Sequence, residues 1–407
     1  MKKTVIILSI FLLVMAACKT QPPAAASYSI VAVFAGTSNI FVFPNDSTVM
    51  AAGYNQSGQL GINQENSRIV WEMSRVRLGD QDKPGPIAVA AGENHTVLIA
   101  KDGVLWGAGA SWYGELGQGE NNNGLYPVFT PLKDGNGNSI NNVKAAAAGS
   151  NSTFIIKNDN SLWAAGHNYY GELGLGDRNN HFSFTQVTGA GQDVKDVAAG
   201  ARHTVILKND GTLWAAGYNF NGQLGFGDAD ASQFTLVNGV SSVAAVAAGN
   251  YHTVLLKNDG TVWVAGENYY GQLGNNGDGQ RSFVQVKDAG GKAITDATAI
   301  AAGGDLTVIL RKDGSLLMAG TFDEPEYDIE SGPPPPLAGE PECTLVPLQT
   351  DNKARLDVKQ IVIGSRSIYV LTADGHVWTA GSNQYGQLIM GSDVKDSAVL
   401  KLVYPKT

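Results

Sequence analysis

Apolar residues along this chain gather in short runs separated by Gly, Asn and Asp, and the runs recur. In Val197-Ala198-Ala199-Gly200 small residues make a strand that tolerates close neighbours. His203-Thr-Val-Ile-Leu-Lys208 follows as a second β-rich run, because β-branched and large apolar side chains suit a pleated sheet. Asn209-Asp210-Gly211 supplies positive φ for a tight hairpin. Thr212-Leu-Trp-Ala-Ala216 is a third strand, and Phe234-Thr-Leu-Val237 a fourth after a loop of Gly, Asn and Asp. Beyond the N-terminal segment nothing reads as a long amphipathic helix.

The unit repeats seven times. Glycines 53, 109, 166, 217, 266, 320 and 381 align the copies, at spacings of 49 to 61 residues. Seventeen positions earlier every copy has Gly: 36, 92, 149, 200, 249, 303 and 364. Seven positions earlier every copy has Asp: 46, 102, 159, 210, 259, 313 and 374. Four short antiparallel strands per copy predict an all-β chain, a seven-bladed β-propeller. The copies run near 29–80, 87–132, 143–188, 194–238, 243–287, 297–348 and 358–404, so the propeller spans 29–404. Copy 1 lacks the shared His and Trp and reads as a degenerate end blade. Copy 6 breaks into an acidic, Pro-rich insert, 322–343, which reads as an extended loop. Copy 7 has Ile389 where the others end the loop motif in Gly.

Ala248-Gly-Asn-Tyr-His-Thr-Val-Leu256, Asn258-Asp-Gly-Thr-Val-Trp263 and Gly266-Glu-Asn-Tyr-Tyr-Gly-Gln-Leu-Gly274 resemble the repeat of the regulator of chromosome condensation family. The resemblance covers nearly all of the chain from Ser29 and implies the seven-bladed propeller. It does not imply one function. The founding eukaryotic member is a nucleotide exchange factor for a small nuclear GTPase. The secreted β-lactamase inhibitor protein II is similar in fold and implies that such a propeller can serve extracellular protein binding.

The N-terminus changes the expected compartment. Met1-Lys2-Lys3 precedes an apolar run from Thr4 to Ala17, too short to span a bilayer but suited to a signal peptide. Met15-Ala16-Ala17-Cys18 resembles a lipobox, which makes 1–17 a lipoprotein signal peptide, Cys18 the acylated residue and 18–28 a tether. The expected location is the bacterial cell envelope: lipid-anchored and extracytoplasmic, at the outer membrane or cell surface. The net charge is −9, and loss of Lys2 and Lys3 leaves 26 basic against 37 acidic residues, −11. That balance speaks against phosphate-driven nucleic-acid binding. Two Cys make neither a disulfide framework nor a zinc cluster.

The repeat also sorts framework from free positions. Trp106, Trp163, Trp214, Trp263 and Trp378 share one position and read as packing between blades. His95, His203 and His252 share another; on separate blades they do not suggest a metal site, and no cofactor is expected. Glu115 and Glu172 replace the Gln of four other copies, which suggests a structural hydrogen bond rather than a carboxylate pair for glycoside hydrolysis. Lys133 to Ser139 departs from a Ca²⁺ loop and reads as a turn.

Antiparallel tracing puts the loops between strands 1 and 2 and between strands 3 and 4 at one end of every blade. The residues that vary there are Trp112, Tyr113, Tyr169, Tyr170, Phe220, Tyr269, Tyr270 and Tyr385, with Arg202, Tyr251 and Arg366 from the shorter loops. These types dominate interface hot spots. The expected function is a monomeric protein-binding module and not an enzyme. An inhibitor of a secreted or periplasmic enzyme is a special case of that binding. Two further functions fit the same compartment: a polysaccharide-active enzyme and a purely structural envelope protein.

Overall fold

The computed structural model describes residues 29–63, 68–78, 85–120, 124–275, 277–322 and 345–404. The signal peptide 1–17, the tether 18–28 with Cys18, and all of the 322–343 insert except Phe322 lie outside the described residues, as does Cys343.

The strands β1 to β28, numbered in chain order, form seven four-stranded sheets, each from four consecutive strands. Every hydrogen-bonded pair is antiparallel, as in the blade β13 (Val194–Ala199), β14 (His203–Lys208), β15 (Leu213–Gly217) and β16 (Ala231–Leu236). No α-helix occurs among the described residues. This is the seven-bladed propeller of the repeat pattern. The fourth strand starts at Ala231, earlier than the apolar run at Phe234, with a bulge between Ala215 and Gly217. Copy 1 is a complete blade of β1 (Ile30–Ala35), β2 (Asn39–Pro44), β3 (Met50–Tyr54) and β4 (Ile69–Arg75).

Burial follows strand position. The second strand of each blade is covered on both faces by neighbouring blades, so its sequence is a continuous apolar run: β14 is buried from His203 to Leu207. The inner strands are Ala-, Gly- and Val-rich and line a central channel of about 210 Å³. Their terminal glycines explain its narrowness. A Cβ on Gly92, Gly149, Gly200 or Gly249 would come within 2.4–2.6 Å of a backbone carbonyl of the next blade, and one on Gly364 within 2.8 Å of Gly36 O. Seven backbones therefore approach in a closed circle that only Gly permits.

Two devices join the blades. The Trp of the shared strand position packs across a seam: Trp106 against the cluster of Phe41 and Phe129, Trp163 against that of Leu105 and Leu116, and Trp214 against that of Phe154 and Leu173. The second is a hydrogen-bond relay. His95 Nε2 lies 2.8 Å from Thr153 Oγ1 on the next blade, and that hydroxyl donates back to Glu115 O at 2.7 Å. His203, Thr253 and Gln223 O repeat it, as do His252, Thr307 and Gln272 O. Where the shorter Asn39 or Ser152 replaces His, the facing Thr96 and Thr204 hydroxyls are buried without a partner.

At the opposite end from the long loops, Asp210 Oδ1 accepts from Thr212 N (2.9 Å) and Thr212 Oγ1 (2.7 Å), and Trp214 Nε1 donates to that hydroxyl. Asp159, Ser161 and Trp163 repeat the chain, as do Asp259, Thr261 and Trp263. Copy 2 has Val104 in the hydroxyl position, and Trp106 Nε1 there is buried without a partner.

Gly61, Gly117, Gly174 and Gly225 end the long loops at φ of 64–76° and lie flat under Phe129, Phe184, Phe234 and Phe283 of the next blade. Blade 7 inverts this size relation. Ile389 takes the same left-handed conformation (φ 61°). The aligned position of β4 holds Met73 instead of Phe, and both side chains belong to one hydrophobic cluster.

The ring closes without a shared strand. Gln360, on β25 (Val358–Ile363), donates through Nε2 to Val33 O at 2.6 Å and accepts from Val33 N at 3.1 Å. Lys359 Nζ donates to Val31 O at 2.8 Å, and Ser365 N to Thr37 O at 2.8 Å.

Candidate functional site

The long loops are tied from inside. The Asn of Gly-x-Asn is buried and its Oδ1 accepts the N–H of the Leu five residues on: Asn168 from Leu173, Asn219 from Leu224 and Asn268 from Leu273, each at 2.9 Å. In copy 2, Ser111 Oγ does the same for Leu116 at 3.1 Å. A second clamp comes from the Gln of Gly-Gln-Leu-Gly, which accepts the N–H two residues before it, as Gln223 does from Asn221 and Gln272 from Tyr270. Glu115 and Glu172 make this same bond to Tyr113 N and Tyr170 N at 2.8 Å. With the polar groups turned inward, the intervening side chains are pushed out.

Trp112, Tyr113, Tyr169 and Phe220 are 50%, 40%, 65% and 66% exposed, and they are all the exposed aromatic side chains among the described residues. All four stand on one end of the ring. They continue into a strip of ring contacts. Tyr113 meets His167 at 5.2 Å, Tyr169 meets Tyr170 at 5.1 Å, and Tyr170 meets Tyr218 at 5.0 Å, all edge-on. Tyr218 reaches both Phe220 and Tyr251 at 6.2 Å. Arg202 Nη1 donates to Tyr170 OH at 3.0 Å, with its guanidinium 4.9 Å from that ring's centroid. Thus Tyr113, Tyr169, Tyr170, Arg202, Phe220 and Tyr251 come together across blades 2 to 5, with Trp112 beside Tyr113. Tyr269 and Tyr270 form a further edge-on pair at 4.8 Å. Tyr385 lies on blade 7 with Arg366 and meets Tyr54 of blade 1 at 5.1 Å. Several rings therefore contact the next blade as well as facing outward.

Three participants carry no clear signal in the sequence: His167, Tyr218 and Glu267. Each is the x of Gly-x-Asn, a position that varies between copies just as the neighbouring aromatic positions do. His167 Nδ1 lies 2.5 Å from Glu172 Oε1. Burial pushes the Glu115 carboxyl up to about 7. Burial, with Asp305 beside it, takes Glu267 to about 7, and burial takes Asp305 to about 6 against the opposing pull of Arg366. His95, His203 and His252 are buried in their seams, each on its own Thr, and do not converge. The Lys133–Ser139 segment is a turn in which Asp134 Oδ1 accepts from Asn136 N and Asn138 N.

Comparison with known proteins agrees with this architecture. The regulator of chromosome condensation (RCC1) repeat matches residues 143–172, 194–223, 243–272 and 358–387, and, in a second form, 159–207, 210–256 and 259–310. The ultraviolet-B receptor UVR8 of Arabidopsis thaliana is 30% identical over 194 residues, 47% of this chain and 42% of that protein. Human protein RCC2 is 33% identical over 132 residues, 32% of this chain and 24% of its own length. The match thus spans less than half of these relatives. Yeast RCC1 (Prp20), solved bound to Kap60, superposes with a TM-score of 0.72 at 18% identity, covering 98% of this chain and 92% of that one. Human WBSCR16 gives 0.70 at 20% identity, covering 88% and 94%. At these identities the likeness is one of fold. This chain is a seven-bladed propeller that carries regulator of chromosome condensation (RCC1) repeats across residues 143–310 and 358–387.

Proposed function

We propose that the chain is an extracytoplasmic, lipid-anchored protein-binding module of the bacterial cell envelope. Its partner docks on the aromatic-rich loop face, and Cys18 carries the anchor. One observation carries the reading: every exposed aromatic side chain among the described residues stands on this one end of the ring. Large rigid rings with polar tips supply contact area at low entropic cost. Propellers of this repeat provide precedent: yeast RCC1 was solved bound to Kap60, and a structure of yeast Prp20p is described together with its binding to Gsp1p and histones. Catalysis is not assigned to the face. Glu115 and Glu172 clamp backbone amides as Gln does in other blades, so their position has a structural cause.

The test is a crosslinking pull-down from envelope extract with the native chain and a Trp112→Ser, Tyr169→Ser, Phe220→Ser variant. These side chains are the most exposed, so the fold should persist. A partner captured by the first and lost by the second supports the face. Equal capture of the same partner by both refutes it. Anchoring is checked separately by palmitate labelling, which should vanish in Cys18→Ser.

A further inference from the structure

The loop clamp is made equally well by a neutral and by a charged side chain. Gln59, Gln223, Gln272 and Gln387 hold the backbone N–H two residues before them, at 2.8–3.1 Å. Only copies 2 and 3 use Glu, at Glu115 and Glu172, with the same 2.8 Å bond. The added negative charge is therefore not needed for the fold. It is bonded to the backbone N–H of Tyr113 and of Tyr170, in the same loops as Trp112, Tyr113 and Tyr169, three of the four exposed aromatic side chains. Both carboxylates are buried, and one imidazole, His167, lies against Glu172. Aromatic faces over anionic groups favour a cation, and this chain already shows the contact with Arg202 on Tyr170.

We propose that the partner presents a lysine- or arginine-bearing segment to the blade 2–3 sector, its cation resting on Tyr113 and Tyr169 above Glu115 and Glu172. This rests on the protein-binding reading above and adds the chemistry of the partner. Burial raises the Glu115 carboxyl to about 7, so part of that group is protonated at neutral pH, and a cation placed above it would draw the proton off.

The test uses the full chain in detergent and two fluorescein-labelled peptides, (Lys-Phe)4 and (Glu-Phe)4, read by anisotropy. The native chain should bind the basic peptide at least about tenfold more tightly. Glu115→Gln with Glu172→Gln retains the clamp and should narrow the preference to less than about twofold. A control that removes two distant charges, Glu72→Gln with Asp351→Asn, should keep the tenfold preference. Failure of the native chain to bind or prefer the basic peptide overturns the inference, and so does a preference that survives in the Gln pair or is lost equally in the control. The Trp112→Ser, Tyr169→Ser variant separates the two readings. If it weakens both peptides while the Gln pair changes nothing, the aromatic face stands and only the basic partner is refuted. If it weakens neither, the face itself is refuted.

Discussion

Replacing Ile389 by Gly should destabilise the propeller, although Gly is the residue five other copies place there. Ile389 sits at φ 61°, where a β-branched side chain is disfavoured, and the left-handed conformation costs it ~1–2 kcal/mol. Against that relief stands the loss of a side chain only 4% exposed, a cavity-forming change of the kind that costs ~2–5 kcal/mol for Ile→Ala. The balance is a net loss of about 1–3 kcal/mol. The other blades show how to recover it, since each pairs its Gly with a large group opposite, Phe in four of them. Met73→Phe alone should overpack against Ile389 and cost ~1–3 kcal/mol. The double variant Ile389→Gly, Met73→Phe should return to within ~1 kcal/mol of the native protein. Urea titration of the four proteins gives the cycle, with unchanged slope as the check that the compact states are alike. If Ile389→Gly stabilises the protein, or the two changes add without coupling, the inverted packing of this seam is not what selects Ile.

Three further outcomes follow from the seams. Thr253→Val leaves His203 Nε2 and Gln223 O facing an apolar group and should cost about 1–3 kcal/mol in the same titration. Val104→Thr should place a hydroxyl on Asp102 and under Trp106 Nε1, completing the hairpin chain found in three other blades, with a gain of ~0.5–1.5 kcal/mol. Burial holds His95, His203 and His252 down at about 4, 3 and 4. The unfolded chain takes up those protons below its ordinary 6.5 and the native state refuses them. Their stabilisation is thus complete above pH 6.5 and fades as pH falls toward 4. Glu115 and Glu267, raised to about 7, act with the opposite sign: the native state holds their protons between pH 7 and 4.5 while the unfolded chain releases them. His203→Asn should therefore flatten the acid loss between pH 6 and 4 by about one proton, ~1.4 kcal/mol per pH unit. An unchanged slope would mean that His203 is not held neutral.

The blade count, strand order and the framework role of Trp were legible because a repeat is its own control: a residue type that recurs at one position, Gly and Asp in seven copies and Trp in five, has a cause common to them. The same logic located the variable loops. It passes over Tyr218 and Glu267 because the aromatic pairs after the Asn dominate the pattern, and a single variable x before it gives little signal. Pairings across seams were out of reach. Nothing in the spacing says that His203 meets Thr253, or that Ile389 answers Met73, since those partners are set by rotation between blades. Copy 1 reads as degenerate because it lacks His and Trp, yet its backbone pairing is complete. The second-strand run of Ile40, Phe41 and Val42 was enough to hold it.

Because every blade is made of four consecutive strands, the seven seams are not mechanically alike. The polypeptide itself crosses six of them. The seventh, between blades 7 and 1, is held by the Gln360 amide on Val33, by Lys359, by Ser365 and by apolar packing around Tyr369 and Val42. Under tension or mild denaturant the ring is therefore built to part there first, opening like a split washer while each blade keeps its own hydrogen bonds. A propeller whose first and last blades share a strand must break a sheet to do the same.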